Sequence, residues 1–196
     1  MRKIAVIGAG QFGTAISNSL VLNQENHVKL FSHNVKKVED VNHRKINSLV
    51  YPNTVLNNRV SADTNFKLLK EYSIIFIAIP SFAILPFLHE NKNFISDKAL
   101  VVNLAKGLIS ADNTIVELIK EIVPNSNVAT MKGPSFAIEL LNGANTLFTL
   151  GSKNIQSYEL INSITSGTNI FLDFTKDIKG VELLSILKNI YAILLG

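Results

Sequence analysis

The chain has 196 residues, of which 47% are apolar and 17% charged, a globular composition that excludes a disordered chain and allows one sizeable core. The net charge is +4, from 19 Lys and Arg against 15 Asp and Glu, and the basic residues are dispersed, so nucleic-acid binding is not expected. The absence of cysteine excludes disulfides, thiolate catalysis and zinc–thiolate sites, and it favours a cytoplasmic location. No metal site is expected.

The beginning of the chain predicts a buried strand and not a signal peptide, because only about four apolar residues precede the first glycine. The most apolar run, 74–88, is interrupted by Pro80 and Pro86 and falls short of the roughly 18 residues that a membrane helix needs. We therefore expect no membrane insertion.

Short apolar runs rich in β-branched residues alternate with longer helical patterns. The predicted strands are 3–7, 28–31, 74–79, 99–103, 127–130, 146–150 and 169–174. The predicted helices between them are 11–22, 35–46, 66–72, 82–89, 113–122, 135–141 and 155–163. Because the strands are apolar on both faces, helices must cover both sides of the sheet, which predicts an α/β fold: a Rossmann-type, doubly wound, mostly parallel sheet over residues 1–176.

The last segment, 179–196, differs because its apolar residues cover nearly the whole circumference of a helix. A helix of this kind must be buried on all sides. Either this helix forms a homodimer, or the sequence is the front part of a longer protein. We favour the second interpretation.

A glycine-rich motif, G-x-G-x-x-G, lies at Gly8, Gly10 and Gly13, after the first strand and at the start of the first helix. In this context the glycines permit a tight turn, a close approach of the backbone to a pyrophosphate, and close packing of helix on strand. The free amides and positive dipole end of the helix favour phosphate binding. The motif predicts a nicotinamide dinucleotide site.

The second strand normally ends in an acid that binds the ribose 2′-hydroxyl of NAD. Here it is followed by Ser32, His33 and Asn34, with Lys36 and Lys37 just beyond. A 2′-phosphate would meet no carboxylate, so NADP is tolerated. The two lysines are either its cationic partners or an ordinary solvated helix start, and the sequence leaves NAD or NADP open.

Two lysines lie in otherwise apolar surroundings. Lys106 follows the strand 99–103, where ligands bind in open α/β sheets. Lys188 lies in the apolar last helix, where it is either paired with Glu182 or Glu139, or has a lowered pKa suited to proton transfer. Between them, Ser135 is predicted to open a helix that is either an anion site or merely capped by the hydroxyl.

Together these residues resemble a known family, the bacterial type of NAD(P)-dependent glycerol-3-phosphate dehydrogenase. The resembling stretches are 8–15, 47–52, 78–81, 105–107, 133–139 and 187–193. The resemblance implies interconversion of dihydroxyacetone phosphate and sn-glycerol 3-phosphate by hydride transfer, supplying phospholipid synthesis. It also implies that residues 177–196 are the first helix of an all-helical substrate domain, the remainder of which is absent. The chain departs from the family in bulky residues before Lys188, such as Leu183 and Leu184.

The resemblance also implies site residues. Lys188 is the expected general acid/base and Lys106 the expected stabiliser of the developing alkoxide. The expected dinucleotide contacts are Gly8, Gly10, Gln11, Phe12, Gly13, His33, Pro80, Lys106 and Ala137. The expected substrate contacts are Lys106, Gly133, Ser135 and Lys188. Two alternatives stay open: a reductase of another small oxo or hydroxy acid, and a catalytically inactive nucleotide-binding module.

Overall fold

The computed structural model describes residues 1–107 and 113–195, and of residues 188–195 only the course of the helix. Eight strands of this part form one sheet: β1 (Arg2–Ile7), β2 (Asn26–Phe31), β3 (Ser61–Asp63), β4 (Ile74–Ile77), β5 (Leu100–Asn103), β6 (Asn127–Lys132), β7 (Thr146–Gly151) and β8 (Ile170–Thr175). Their order is β3-β2-β1-β4-β5-β6-β7-β8, and every pair is parallel except the antiparallel β6 and β7. The predicted mostly parallel, doubly wound sheet is confirmed.

Helices connect the strands. They are α1 (Gln11–Leu20), α2 (Val35–Glu39), α3 (Ser81–Asn91), α4 (Ile115–Ile122), α5 (Ala137–Leu141), α6 (Ile155–Thr165) and α7 (Ile178–Leu195). Shorter turns of 3₁₀-helix lie at Phe66–Glu71 and Lys92–Phe94. The connection from β1 runs through α1 to β2 on one side, while β4 lies on the other side of β1. The strand order therefore changes direction between β1 and β4, where open α/β sheets bind ligands.

The core lies on both faces of the sheet, which explains why the strands are not amphipathic. In β1, Ile4 and Val6 belong to one buried cluster, and Ala5 and Ile7 to the other. Each of these side chains is at most 1% exposed. Because a strand points successive side chains to opposite faces, a strand covered on both sides has no polar positions to alternate with.

Several predicted elements differ from the structure in extent or type, among them the following three. The predicted helix 35–46 ends as an α-helix at Glu39, continues as one π-helical segment (Asp40–Arg44) and stops at Lys45, which has a left-handed φ of 54°. The predicted helix at 66–72 is a 3₁₀-helix. The helix predicted to open at Ser135 begins at Ala137, with Phe136 at the N-cap and no side-chain cap. Ser135 therefore does not cap this helix, and an anion site at Ser135 stays a prediction.

Helix α7 is joined to the sheet domain by polar contacts. Glu182 is buried, and its Oε1 accepts a hydrogen bond from the side chain of Asn103 at 2.7 Å. Lys179 forms an ion pair with Glu117 of α4 at 3.1 Å. Three leucines of α7 lie exposed: Leu183, Leu184 and Leu187. The described residues therefore do not bury this helix on all sides, and the domain boundary after residue 176 stays a prediction.

Within the described residues, none of the helices combines the length and the apolar character that crossing a lipid bilayer requires.

Candidate active site

A crevice follows the carboxyl ends of the central strands and consists of three adjoining cavities. The outer cavity, about 410 Å³, contains the ends of β1 and β2 with Gly8, Gly10 and His33 in its lining. The middle cavity, about 370 Å³, shares Gly10 and Pro80 with it. The inner cavity, about 350 Å³, shares Lys106 with the middle one. One extended ligand can therefore lie along the sheet edge from β2 to β6.

The glycine-rich turn is built so that its backbone faces this crevice. Gly8 has a φ of +111°, and a Cβ on Gly13 would lie 1.8 Å from the Gly8 carbonyl oxygen. These two glycines are therefore required by the turn itself. At Gly10, by contrast, a Cβ would meet no atom within 4 Å, because this residue borders open space. Gly10 is also the N-cap of α1 and offers no side-chain cap, so the first amides of the helix are available to an anion.

Gln11 and Phe12, the first residues of α1, line the middle cavity together with Pro80. Phe12 also packs edge-on against Phe148, with ring centroids 6.1 Å apart. Gln11 and Phe12, two of the expected dinucleotide contacts, thus border the same crevice as the glycine-rich turn.

The end of β2 carries no acid, as predicted from the sequence. His33 and Lys37 line the outer cavity, and Nζ of Lys37 donates to the carbonyl oxygen of Ala9 at 2.8 Å. Lys36 is exposed. Glu90 of α3 also lines this cavity and was not predicted as a site residue. No motif in the sequence indicated this residue, because it lies near the C-terminal end of α3, which connects β4 to β5 and not β1 to β2.

The inner cavity holds two lysines. Lys106 follows β5 and Lys132 ends β6, and both line the cavity with Gly133, Asp177 and Ser185. Lys132 is 6% exposed, and its pKa is lowered to about 7, chiefly because burial disfavours the charged amine; Glu182 opposes this shift and Lys106 adds to it. No role was predicted for Lys132 from the sequence, although a lysine at the carboxyl end of a strand of this sheet lies at the edge where ligands bind.

Gly133 and Ser135 follow Lys132. A Cβ on Gly133 would lie 2.3 Å from the carbonyl oxygen of Leu147, so only glycine fits there. Ser135 is buried, and among the described residues its Oγ has no hydrogen-bond partner. A buried hydroxyl without a partner is costly unless a ligand satisfies it. Ala137 begins α5 and packs against the same core cluster as Phe12.

A family model described as NAD-dependent glycerol-3-phosphate dehydrogenase N-terminus matches residues 3–158. The chain belongs to this family. The glycerol-3-phosphate dehydrogenase [NAD(P)+] of Neorickettsia sennetsu is 31% identical over 192 residues, covering 97% of this chain and 57% of that protein. The enzyme of the same name from Methanothermobacter thermautotrophicus is 32% identical over 195 residues, covering 98% and 60%.

A crystal structure of glycerol-3-phosphate dehydrogenase from Coxiella burnetii superposes with a TM-score of 0.89 at 27% identity, covering 98% of this chain and 59% of that one. This chain therefore spans 57% to 60% of the length of the glycerol-3-phosphate dehydrogenases compared with it here. The resemblance expected from the sequence motifs is confirmed, and so is the Rossmann-type fold.

Among the expected catalytic residues of a glycerol-3-phosphate dehydrogenase, only Lys106 can be located by its side chain. Lys188 lies on α7, but its side chain is outside the described residues, so its position relative to the inner cavity stays a prediction. The described part of α7 does reach this cavity, since Val181, Leu184 and Ser185 line it. No cluster of potential metal ligands occurs among the described residues.

Proposed function

We propose that this chain forms the dinucleotide-binding part of an NAD(P)-dependent glycerol-3-phosphate dehydrogenase that interconverts dihydroxyacetone phosphate and sn-glycerol 3-phosphate. The observation that carries the proposal is the continuous crevice from the glycine turn to Lys106. Along this crevice, Gly10 would hold the pyrophosphate of a dinucleotide, and Lys106 would border its nicotinamide end. The substrate then occupies the inner cavity.

The residues present fit such a dinucleotide. Gly10 borders open space that a side chain at this position would fill, and the first amides of α1 have no side-chain cap. The outer cavity is flanked by apolar side chains such as Phe66 and Phe87, which suit the flat face of an adenine ring. The absence of an acid after β2 and the presence of Lys37 allow either NAD or NADP.

The bound nicotinamide supplies or accepts the hydride at the substrate C2. In the reductive direction, negative charge grows on the C2 oxygen. Lys106, at the junction of the middle and inner cavities, stabilises that charge as an ammonium group. Lys188 donates a proton to the oxygen and accepts it in the reverse direction, while Gly133 and Ser135 contribute to substrate binding.

The remaining parts of the proposal concern the cell and the assembly. The enzyme is cytoplasmic, and its product supplies phospholipid synthesis. The exposed leucines of α7 are covered either by further helices of the same protein or by a second copy in a homodimer.

Turnover of dihydroxyacetone phosphate, followed as loss of the reduced-nicotinamide absorbance, tests the proposal. We expect turnover with this substrate and none with ketopantoate, which represents the reductases of other oxo acids. Calorimetric titration of the same protein with NADH and NADPH measures dinucleotide binding. Binding without turnover would identify the alternative, an inactive nucleotide-binding module. Turnover of ketopantoate alone, or neither binding nor turnover, contradicts the proposal.

A further inference from the structure

Lys132 brings a buried amine to the wall of the inner cavity, where it bonds to backbone. Its Nζ donates to the carbonyl oxygen of Asn103 at 3.3 Å and also to that of Ala105. Both carbonyl groups lie at the carboxyl end of β5, and Ala105 directly precedes Lys106. The amine therefore holds the segment of backbone from which Lys106 projects.

The same segment is tied to α7 by a buried polar network. The side chain of Asn103 accepts a hydrogen bond from the Ala105 amide at 2.9 Å and donates to Glu182 Oε1 at 2.7 Å. The other oxygen of Glu182 accepts from the Val116 amide, in the first turn of α4, at 3.4 Å. The carboxylate of Glu182 also favours the charged form of Lys132 electrostatically, and the network joins β5, β6, α4 and α7.

The charge of this amine changes near neutral pH. The pKa of Lys132 is lowered to about 7, mainly by burial, with Glu182 acting to raise it and Lys106 acting to lower it. The other described charged group at the cavity is Asp177, at the start of α7. Because a charged donor makes a stronger hydrogen bond than a neutral one, the hydrogen bond from Lys132 to the Ala105 carbonyl weakens as Lys132 loses its proton.

We propose that Lys132 is a positioning residue. By holding the backbone of Ala105, it fixes the orientation in which Lys106 contacts an anionic substrate in the inner cavity. The role of Lys106 rests on the proposed function. The contacts of Lys132 are with the protein itself, so its effect is present without any ligand.

Hydrogen exchange of the Ala105 amide, followed by NMR in the ligand-free protein, tests this positioning role. In the wild type, the protection of this amide relative to an unstructured chain falls about tenfold as the pH rises through the titration of Lys132. In Lys132→Met the protection is low on both sides of that pH. Lys120→Met is the matched control, because Nζ of Lys120 also donates to a backbone carbonyl, that of Ser126, at 2.7 Å, but on the wall of a different cavity. It keeps the wild-type profile.

The absence of native cysteine permits a chemical rescue at one position. Lys132→Cys, aminoethylated while unfolded and then refolded, regains a lysine-like amine, and we expect the pH-dependent protection to return. Protection of Ala105 that does not change with pH in the wild type overturns the proposal, and this measurement needs no variant to fold. Equal profiles of Lys132→Met and Lys120→Met overturn it as well. A protein that shows the expected profile but binds no dinucleotide refutes the proposed function, and with it the role of Lys106, but leaves the positioning of Ala105 by Lys132 standing.

Discussion

At the scale of single residues, the three glycines of the first turn have different structural roles. Gly8 and Gly13 are held by sterics within the turn, whereas Gly10 borders the space where a ligand fits. Sequence spacing alone identified the motif but did not separate these roles, because all three glycines satisfy the same pattern. The distinction needs the contacts that a Cβ would make.

A pair of alanine substitutions tests this division. We expect Gly10→Ala to keep wild-type stability and to lose dinucleotide affinity by about tenfold or more, because the methyl group enters the pyrophosphate cradle. Gly13→Ala is expected to lose about 1 to 3 kcal/mol of stability, because its Cβ collides with the Gly8 carbonyl. Thermal melts and calorimetric titration measure the two effects. The opposite pattern, with Gly10→Ala unstable and Gly13→Ala unaffected, would show that the turn is assigned wrongly.

The buried amine of Lys132 predicts a pH-dependent stability. Burial lowers its pKa to about 7 in the folded protein, against 10.5 for an ordinary lysine. Between these values the unfolded chain binds more protons, so the contribution of Lys132 to the free energy of unfolding increases as the pH rises from about 7 to 10.5 and is lost as the pH falls.

Urea unfolding of wild type and Lys132→Met across this range measures the contribution. We expect the wild type to gain about 1 to 4 kcal/mol relative to the variant between neutral and alkaline pH. Lys120→Met, measured in parallel, corrects for the general effect of removing a surface lysine. A difference between wild type and Lys132→Met that stays constant with pH would disprove the lowered pKa.

At the scale of elements, the start of α2 brings Lys37 to the outer cavity, where we expect it to meet the 2′-phosphate of NADP. Asn34 caps this helix by accepting from the Lys37 amide at 3.1 Å, which fixes the backbone of Lys37 at the cavity. We expect Lys37→Met to weaken NADPH binding about tenfold while changing NADH binding little, since only NADPH carries a 2′-phosphate for the lysine to bind. Lys36→Met, one residue away and exposed, is the control and should bind both as wild type does. Equal losses for both dinucleotides in Lys37→Met would remove this lysine from cofactor discrimination.

The elements were predictable to different degrees from the sequence, for identifiable reasons. The buried strands β1, β4 and β5 were found because their apolar runs are unbroken. β3 was missed because it has only three residues, Ser61–Asp63, and a single buried apolar side chain. The predicted start of α5 is two residues early, because Ser135 is a residue type that commonly caps helices. In the structure its side chain is buried without a partner among the described residues, and the helix begins at Ala137 with no side-chain cap. Lys132 was given no role because its partners Asn103 and Ala105 lie 29 and 27 residues away.

At the scale of the whole molecule, the proposed reaction needs the sheet domain and α7 together. α7 is anchored to the sheet by Glu182 and lines the inner cavity with Ser185, which supports a role for its later residues. In an enzyme that turns over dihydroxyacetone phosphate, we expect Lys188→Ala to reduce kcat by about 10² to 10⁴ and to leave dinucleotide affinity nearly unchanged. Lys179→Ala, on the same helix but paired with Glu117 at the surface, should retain turnover. Full activity of Lys188→Ala would exclude Lys188 as the general acid/base.

The central claim is that the glycine turn at the carboxyl end of β1 binds the pyrophosphate of NADH or NADPH. Titration of the protein with each dinucleotide, followed through the backbone amide NMR signals, tests it most directly. We predict saturable shifts concentrated at Gly8, Gly10 and Gln11 and continuing to Lys106. Signals that stay unchanged at saturating concentrations of both dinucleotides, or that move only outside the crevice, would contradict it.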